Sequence, residues 1–410
     1  MSRSSRCDRI EAFARIAFSG GLGHRVAPHP PKREGNLVRR RRFISGLVGA
    51  GAGLGLASVT GGPAAAAVAR DTGTPRTWQA VPTPAGTAAA QLRDVAAAGD
   101  GLAWGVGEEG RSGGTLGSPL ALVWDGTAWA RTALGHLGFR GYLHSVAGTC
   151  ARSAWAIGTD TAGLTHVLTW DGGTWRETDF PGRGQSGTLL TGVAVDPGGG
   201  AWFSGRTPDG RLLLHRDGGG TWTWLPAPPS ATAATPSGVQ LTPAGDVWLH
   251  GVGIVARWNG SAWTELAAYQ GIRASITGLL PVADDDLWLV GYDYGVGGPI
   301  GKPPGVLLLH GDGSTWQGVT GPFGVGMLNG IVGDAQGRPD RIAGWDFWDQ
   351  TRAHYLRWDG AAWVSERGPV ATTPVVMNAL ATVPGSADGY WAVGTTSTSA
   401  SSAAQPRIER

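Results

Sequence analysis

A polar residue recurs near the start of seven similar phrases in this 410-residue chain, and in two phrases it could do chemistry. Each phrase begins with an apolar residue that the polar one follows directly. Five copies carry a small hydroxyl or amide side chain, whereas the first two carry Arg93 and His144. A guanidinium binds carboxylate or phosphate, and an imidazole can move a proton near neutral pH. The seven residues are Arg93, His144, Thr191, Ser237, Thr277, Asn329 and Asn378.

This polar position has two interpretations. The small side chains favour simple hydrogen bonding to neighbouring backbone, which would make the position a matter of packing. The large Arg93 and the titratable His144 instead indicate an anion-binding ligand site. Asp94 follows Arg93 directly, so an ion pair between these two residues would also explain the arginine.

Three loops carry further candidate ligand-binding residues. The first contains His136, Arg140 and Tyr142, and it runs directly into His144, so we expect it to overhang the same side of the site. Aromatic rings beside carboxylates suit sugars, because a ring stacks on the sugar while a carboxylate accepts hydroxyl hydrogens. Long loops are also where binding residues concentrate. The second and third loops contribute Tyr292, Asp293, Tyr294 and Trp348.

Several short motifs are better explained as loops or turns. Residues 105–110 match the glycine-rich pattern of a dinucleotide site, and residues 110–114 match a nucleophile elbow, but no helix follows either one. The run of three aspartates at 284–286 occupies a turn. His215 and His310 share a repeat position that tolerates many residue types. We therefore expect no metal site and no cofactor.

Two recurring phrases define the architecture. The first is a strand, a turn and an aromatic strand that ends in glycine, and it occurs seven times between residues 92 and 394. The second is an apolar strand, a tight turn such as Asp-Gly or Asn-Gly, and a tryptophan, and it occurs six times. Such turns predict two-residue hairpins in which both central residues have positive φ. The six copies lie at 124–129, 170–175, 216–222, 258–263, 311–316 and 358–363.

The spacing of the outer tryptophans predicts a seven-bladed β-propeller with four-stranded blades. Starting from Trp78, successive spacings are 51, 46, 47, 41, 53 and 47 residues, which is the length of one propeller blade. Seven inner phrases face only six outer ones, so Trp78 must supply the missing outer strand to the inner phrase at 377–394. The N-terminal strand would thereby close the ring. Seventeen of the 20 tryptophans fall in repeat positions, and we expect them to form the core between blades.

The repeats over 78–394 resemble those of bacterial secreted β-propellers with aWaVG and WDGxxW phrases. The turn at 217–222 also resembles an Asp-box, whereas the other turns are one residue shorter. The resemblance implies an all-β fold and implies no activity, because propellers include binding proteins, lectins, hydrolases and lyases.

The first 69 residues predict export. Arg40, Arg41 and Arg42 precede Phe43 as in a twin-arginine signal, a glycine-rich stretch follows, and 67–69 form a small-residue cleavage site. We expect residues 1–69 to be an extension and signal peptide, 70–394 the propeller, and 395–410 a tail that could join the closing blade. The protein would then be secreted, with no membrane segment after cleavage.

Charge and composition limit the possible partners. Residues 1–69 carry a net charge of +8, and the remainder carries −6, with 22 basic and 28 acidic residues. A mildly acidic body argues against nucleic acid, which requires a basic surface. We expect a monomer that binds a glycan, a small molecule or a protein at one face of the ring. An extracellular hydrolase or lyase with its site at the channel mouth is the alternative, and a purely structural scaffold is a third.

Overall fold

The computed structural model describes residues 75–196, 198–229, 234–295, 301–386, 388–397 and 403–410. Within these ranges, 28 strands form seven antiparallel sheets of four, and there is no helix. Each sheet is one blade of a propeller. The predicted all-β fold with seven four-stranded blades is therefore confirmed.

The first four blades follow the chain, each running from an inner strand to an outer one. Blade 1 contains β2 (Gln91–Gly99), β3 (Leu102–Glu109), β4 (Ser118–Trp124) and β5 (Trp129–Arg131). Blade 2 contains β6 (Gly141–Cys150), β7 (Ser153–Asp160), β8 (Thr165–Trp170) and β9 (Trp175–Thr178). Blade 3 contains β10 (Leu189–Val195), β11 (Ala201–Arg206), β12 (Leu213–Arg216) and β13 (Trp222–Trp224). Blade 4 contains β14 (Gly238–Leu241), β15 (Val247–Gly251), β16 (Ile254–Trp258) and β17 (Trp263–Glu265).

The remaining blades repeat this order, and the last one combines strands from both ends of the described chain. Blade 5 contains β18 (Ala274–Ala283), β19 (Asp286–Asp293), β20 (Gly305–Gly311) and β21 (Trp316–Gly318). Blade 6 contains β22 (Gly326–Gly333), β23 (Pro339–Asp346), β24 (His354–Trp358) and β25 (Trp363–Arg367). Blade 7 contains β26 (Val375–Thr382), β27 (Tyr390–Thr396), β28 (Gln405–Glu409) and β1 (Ala80–Val81).

The outer hairpins are closed by a side chain rather than by the expected turn type. In blade 1, Oδ1 of Asp125 accepts the backbone N–H groups of Thr127 and Ala128 at 2.8 and 2.9 Å. Gly126 has φ of 98°, but Asp125 does not have positive φ. The expectation that both central residues have positive φ is therefore wrong, because the carboxylate caps the turn and only the glycine needs the left-handed region. The equivalent residues Asp171, Asn259, Asp312 and Asp359 cap their turns in the same way.

Tryptophans from the repeat positions fill the space between blades. Trp104 of blade 1 is buried in one cluster with Trp170 and Trp175 of blade 2, and the rings of Trp104 and Trp170 meet edge to face at 6.5 Å. Burial of one indole removes roughly 150–250 Å² from water, which is on the order of 4–6 kcal/mol before entropy. The lateral contact between sheets thus rests on these side chains.

The ring is closed by the N-terminal strand, as predicted. β1 pairs with β28, so Ala80 lies opposite Glu409 and Val81 lies opposite Ile408. Gln79 and Arg410 also exchange two backbone hydrogen bonds of 2.9 Å. The outermost strand of blade 7 therefore comes from the start of the described chain, and its third strand comes from the end.

Blade 6 carries Arg341 where each of the other six blades carries tryptophan, and this arginine belongs to a buried ionic network beside the closing segment. Arg341 is buried, with its Nε 3.1 Å from Glu366 and its Nη1 3.1 Å from Asp340. Trp78 fills the apolar space beside it, and its Nε1 donates to Glu366 at 3.3 Å. Trp78, the outer tryptophan of blade 7, therefore packs beside the ionic network of blade 6, whereas the outer tryptophan Trp175 of blade 2 packs beside the indole of Trp104.

Some predictions concern residues outside the described ranges. The extension, the twin-arginine signal and the cleavage site at residues 1–69 all fall there. In the part of the chain that the structure describes, no helix has the length and apolar character needed to cross a membrane.

Candidate functional site

A cavity of about 370 Å³ lies where the seven inner strands converge. Every blade contributes to its lining, and the predicted polar position supplies one residue from each. The volume is within the range of small-ligand sites. The seven residues are Arg93, His144, Thr191, Ser237, Thr277, Asn329 and Asn378.

Local backbone geometry separates this polar residue from the sheet. In six blades the inner strand has a β-bulge here, so the register with the second strand skips one residue. In blade 1, for example, Leu92 pairs with Gly107 and Asp94 pairs with Val106, which leaves Arg93 unpaired. A bulge redirects the side chain of the extra residue. The bulges therefore place the polar side chains at the cavity.

In four blades the polar residue binds the next blade. Asn378 of blade 7 donates to the carbonyl of Leu92 in blade 1 at 2.6 Å, and Asn329 donates to Met377 at 2.8 Å. Thr277 and Thr191 bind the equivalent carbonyls of Leu328 and Pro236 at 2.6 and 2.7 Å. These bonds join neighbouring inner strands, so the packing interpretation holds for these four blades.

Blades 1 and 2 make the inter-blade bond one residue later. Oδ2 of Asp94 accepts the N–H of Val146 in blade 2 at 2.8 Å, and Oγ of Ser145 accepts the N–H of Val193 in blade 3 at 3.2 Å. The link between blades is therefore kept while its position shifts. Arg93 and His144 are consequently not needed for the inter-blade hydrogen bond.

Arg93 pairs with a buried carboxylate other than the neighbouring one. Its Nη2 lies 3.2 Å from Glu108, which has no exposed surface and also pairs with Arg111 at 3.1 Å. Asp94 serves the blade junction instead, so the alternative explanation of Arg93 by an ion pair with Asp94 does not hold. Burial would raise the pKa of Glu108, but hydrogen bonds from the Gly117 N–H and both arginines hold it below its ordinary value. Two arginines thus face one carboxylate, which leaves a net positive charge.

Tyr142 completes the group around Arg93. The guanidinium lies over the Tyr142 ring at 4.4 Å, and the rings of Tyr142 and His144 are 5.7 Å apart. A cation held against an aromatic face keeps a defined orientation. Tyr142 therefore positions the guanidinium and separates it from bulk water on one side.

Burial controls the charge of the other titratable groups in the cavity. Burial, and next the charge of Arg93, lower the pKa of His144 to about 4. Burial raises the pKa of Asp94 to about 6, although hydrogen bonds from the N–H groups of Val146 and Val95 and from Ser145 oppose this. At neutral pH the cavity thus holds an uncharged imidazole next to a guanidinium.

A second histidine, His250, lines the cavity from β15 of blade 4. It is 5% exposed, and burial lowers its pKa to about 4. Its Nδ1 is buried without a hydrogen-bond partner among the described residues. Sequence reasoning missed this residue. The available signal was that the other aWaVG-type phrases carry Val106, Ile157, Ser204, Val290 or Val393 where this one carries histidine.

Two other predicted residues lie away from this cavity. Nε2 of the exposed His136 donates to the carbonyl of Trp175, on the outermost strand of blade 2, at 2.7 Å. Arg140 lines a separate cavity of about 630 Å³ with Glu109 and Arg131, which form an ion pair. Of the three residues predicted on this loop, Tyr142 is the one whose ring lies against Arg93.

The predicted residues of blade 5 form their own group. Tyr292 and Tyr294 meet edge to face at 5.9 Å, and Arg273 lies over Tyr294 at 5.2 Å. Asp293 accepts hydrogen bonds from Tyr269 at 3.2 Å and from the Gly295 N–H at 2.6 Å. The carboxylate is therefore engaged in holding the loop.

Trp348 of blade 6 is 76% exposed. Its ring meets Phe347 edge to face at 4.9 Å, and its backbone N–H donates to Asp346 at 2.9 Å. None of these residues lines the central cavity. The predicted residues thus fall into one central group and three peripheral ones. Among the described residues, no group of three or more His, Cys, Asp or Glu is arranged to hold a metal.

Comparison with solved structures supports the same architecture. YCF48 from Cyanidioschyzon merolae is 18% identical, with a TM-score of 0.52 over 82% of this chain and 98% of that one. YCF48 bound to a peptide is 16% identical, with a TM-score of 0.50 over 82% and 96%. Catalytically inactive virginiamycin B lyase from Staphylococcus aureus with quinupristin is 14% identical, with a TM-score of 0.50 over 81% and 98%.

These likenesses establish the fold alone. No protein-family model matches the chain, and no curated protein matches it in sequence. The protein is a seven-bladed β-propeller, and its relatives in structure include both a peptide binder and a lyase. Because one fold can support many functions, the residues of the cavity rather than the fold indicate the function.

Proposed function

We propose that this propeller is a binding protein that holds an anionic group of its ligand in the central cavity through Arg93, with His144 beside it. One observation carries the proposal. Blades 1 and 2 keep their inter-blade bonds through Asp94 and Ser145, and this frees the polar position for larger side chains. If the polar position served packing alone, there would be no reason for the inter-blade bond to move to the following residue.

The electrostatics of the cavity support a carboxylate as the anionic group. Arg93 shares Glu108 with Arg111, so Glu108 compensates the Arg93 charge only in part, and the nearby Asp94 carboxylate is engaged by the N–H of Val146. An uncharged imidazole at His144 can donate one hydrogen bond to a carboxylate oxygen. Acidic glycans and acidic peptides both carry this group, and a peptide is bound by one of the structurally similar propellers.

Titration of a carboxylate panel tests the proposal. Uronic-acid oligosaccharides and peptides with free carboxyl termini would be titrated into the wild-type protein by calorimetry. Arg93→Ala should weaken binding at least tenfold, because a charge-assisted hydrogen bond is lost. His144→Ala should weaken binding less.

Arg176→Ala is the matched control. It removes the same charge from an exposed side chain that pairs with Asp171 in an outer turn. It should bind every ligand as the wild type does. If Arg93→Ala and His144→Ala also bind every ligand with unchanged affinity, the cavity is not the site.

A hydrolase or lyase is the second candidate, and one observation favours it. His144 and Asp94 lie in the same cavity, and the pKa of Asp94 is raised to about 6, where a carboxyl can exchange a proton near neutral pH. Products formed from uronate oligosaccharides or lactones would be detected by mass spectrometry. Turnover that is lost in both His144→Ala and Asp94→Asn would favour the enzyme. Binding without turnover in the wild type would exclude it for these substrates.

We also propose that the protein is exported by the twin-arginine route. The support is the sequence around Arg40 and Arg41 and the small-residue site at 67–69. Replacing both arginines by lysine should keep the protein in the cell, because that route reads the arginine pair. Export of the doubly substituted protein at the wild-type rate would rule this route out.

A further inference from the structure

His250 lies across the ring from the cationic side of the cavity. Arg93 and His144 belong to blades 1 and 2, whereas His250 belongs to blade 4. Because seven blades surround the axis, blade 4 is three places from blade 1 and thus nearly opposite it. The cavity therefore has a charged side and a neutral side.

The position of the His250 ring requires that residue 238 has no side chain. A Cβ on Gly238, the residue directly opposite on the inner strand, would lie 2.7 Å from Cε1 and 2.8 Å from Nε2 of His250. The imidazole therefore covers the space over Gly238, and it is fixed by packing rather than by a hydrogen bond at Nδ1. A buried ring nitrogen without a partner is costly, and such groups call for an explanation.

The surroundings keep this imidazole uncharged. The other titratable groups that line the cavity are Arg93, Asp94 and His144, all from blades 1 and 2. No carboxylate of blades 3 to 7 lines it within the described residues. An imidazole without a nearby carboxylate stays neutral when buried, and it then offers one donor and one acceptor.

We propose that His250 is a specificity-determining residue of the proposed ligand site. It hydrogen-bonds a neutral polar group of the ligand, such as a hydroxyl or an amide, while Arg93 holds the carboxylate. The inference rests on the proposed binding function and narrows its ligand class to carboxylates with a hydrogen-bonding group at their other end. A carboxylate with an apolar tail leaves the imidazole unpaired and is selected against.

Three probes separate the two contributions. D-glucuronate carries a carboxylate and hydroxyls, N-acetylglycylglycine carries a carboxylate and amides, and propanoate carries a carboxylate alone. The wild-type protein should bind at least one of the first two tenfold or more tightly than propanoate. Which of the two binds tells whether the natural ligand is closer to a glycan or to a peptide end.

His250→Leu should reduce this selectivity to nearly one. The reason is that the neutral contact is lost while the Arg93 contact, and so the affinity for propanoate, is unchanged. His250→Gln restores a donor and an acceptor and should recover part of the selectivity. Arg93→Ala should weaken all bound probes by a similar factor, which distinguishes charge recognition from the role of His250.

A second measurement does not depend on a substitution. In protein labelled with ¹⁵N at histidine, the imidazole resonances of His250 should shift on titration with the preferred probe and stay unchanged with propanoate. If binding depends on Arg93 but selectivity persists in His250→Leu, the inference about His250 is wrong and the proposed function stands. If no carboxylate binds the wild type, both are wrong.

Discussion

The indole of Trp78 stacks on the phenol ring of Tyr355 with their centroids 3.7 Å apart and their planes within 11° of each other. The two residues belong to different blades, since Trp78 precedes the outer strand of blade 7 and Tyr355 lies in blade 6. Tyr355 in turn donates a hydrogen bond to Glu409 of blade 7 at 3.0 Å. The closing segment therefore binds two blades at once.

Trp78→Ala tests how much this contact contributes to the free energy of unfolding. Loss of a fully packed indole should lower the free energy of unfolding by about 3–5 kcal/mol. Trp348→Ala removes an exposed indole and should change it by less than about 0.5 kcal/mol. Urea unfolding of both variants gives the comparison. Equal stabilities would mean that the N-terminal segment does not hold the ring closed.

Arg341→Trp would make blade 6 match the tryptophan of its neighbours, yet we expect it to destabilise the protein. Arg341 compensates the buried carboxylates of Asp340 and Glu366, and Trp78 packs beside this network. Removing one partner of a buried ionic network costs about 3–5 kcal/mol. The melting temperature should fall clearly, whereas Arg176→Ala at the surface should leave it nearly unchanged. A more stable Arg341→Trp protein would contradict this account.

Asn378→Ala tests the bonds between inner strands. The substitution leaves the Leu92 carbonyl of blade 1 without its donor and should cost about 1–3 kcal/mol. Asn378→Asp should cost more, because a carboxylate would face that carbonyl. Thr395→Ala, which removes a hydroxyl that donates to the Gln405 carbonyl within blade 7, serves as the control for a hydrogen bond that joins no two blades. Thermal unfolding should rank the variants in this order, and any other order would argue against the inter-blade bond.

His250 should make the protein less stable in acid. Its folded pKa of about 4 lies below the ordinary value of 6.5, so its stabilising contribution is complete above pH 6.5 and is lost as the pH falls towards 4. Between pH 7 and pH 5 the wild type should lose about 2 kcal/mol more than His250→Leu. Chemical unfolding at both pH values measures the difference. His136→Gln, at an exposed histidine, should lose as much as the wild type.

The blade count and the closure could be predicted because each blade is a local repeat. An inner phrase of 16 to 18 residues and a shorter outer phrase contain the hairpins, and the unequal numbers of inner and outer phrases imply the exchanged strand. The third strand of blade 7, Gln405–Glu409, carries no tryptophan and no Asp-Gly turn, so no phrase indicated it. The contact between Trp78 and Tyr355 joins residues 277 positions apart in the sequence, so no repeat could reveal it.

The candidate site was only partly predictable for the same reason. The polar position was visible because it recurs, but the β-bulge that turns it into the cavity is a property of strand pairing. The transfer of the inter-blade bond to Asp94 depends on Val146, which lies 52 residues away on the next blade. His250 belongs to the second strand of blade 4. Its ring has room at the cavity because Gly238, opposite it on the inner strand, has no side chain.

Because Gln79 and Arg410 are joined by backbone hydrogen bonds, the two ends of the propeller lie side by side, and the chain could be circularly permuted. A turn made of one added residue and Trp78 could join these positions and keep Trp78 next to Gln79, and the chain could then be opened within 82–90, between blades 7 and 1. In this circular permutant every blade would be continuous, and no strand would be exchanged. The same core would remain, but the ring would be held at its seam by side-chain packing and by hydrogen bonds such as those from Asn378 to Leu92 and from Arg410 to Asp100. Comparing its unfolding rate with that of the natural order would isolate what strand exchange contributes to the lifetime of the closed ring.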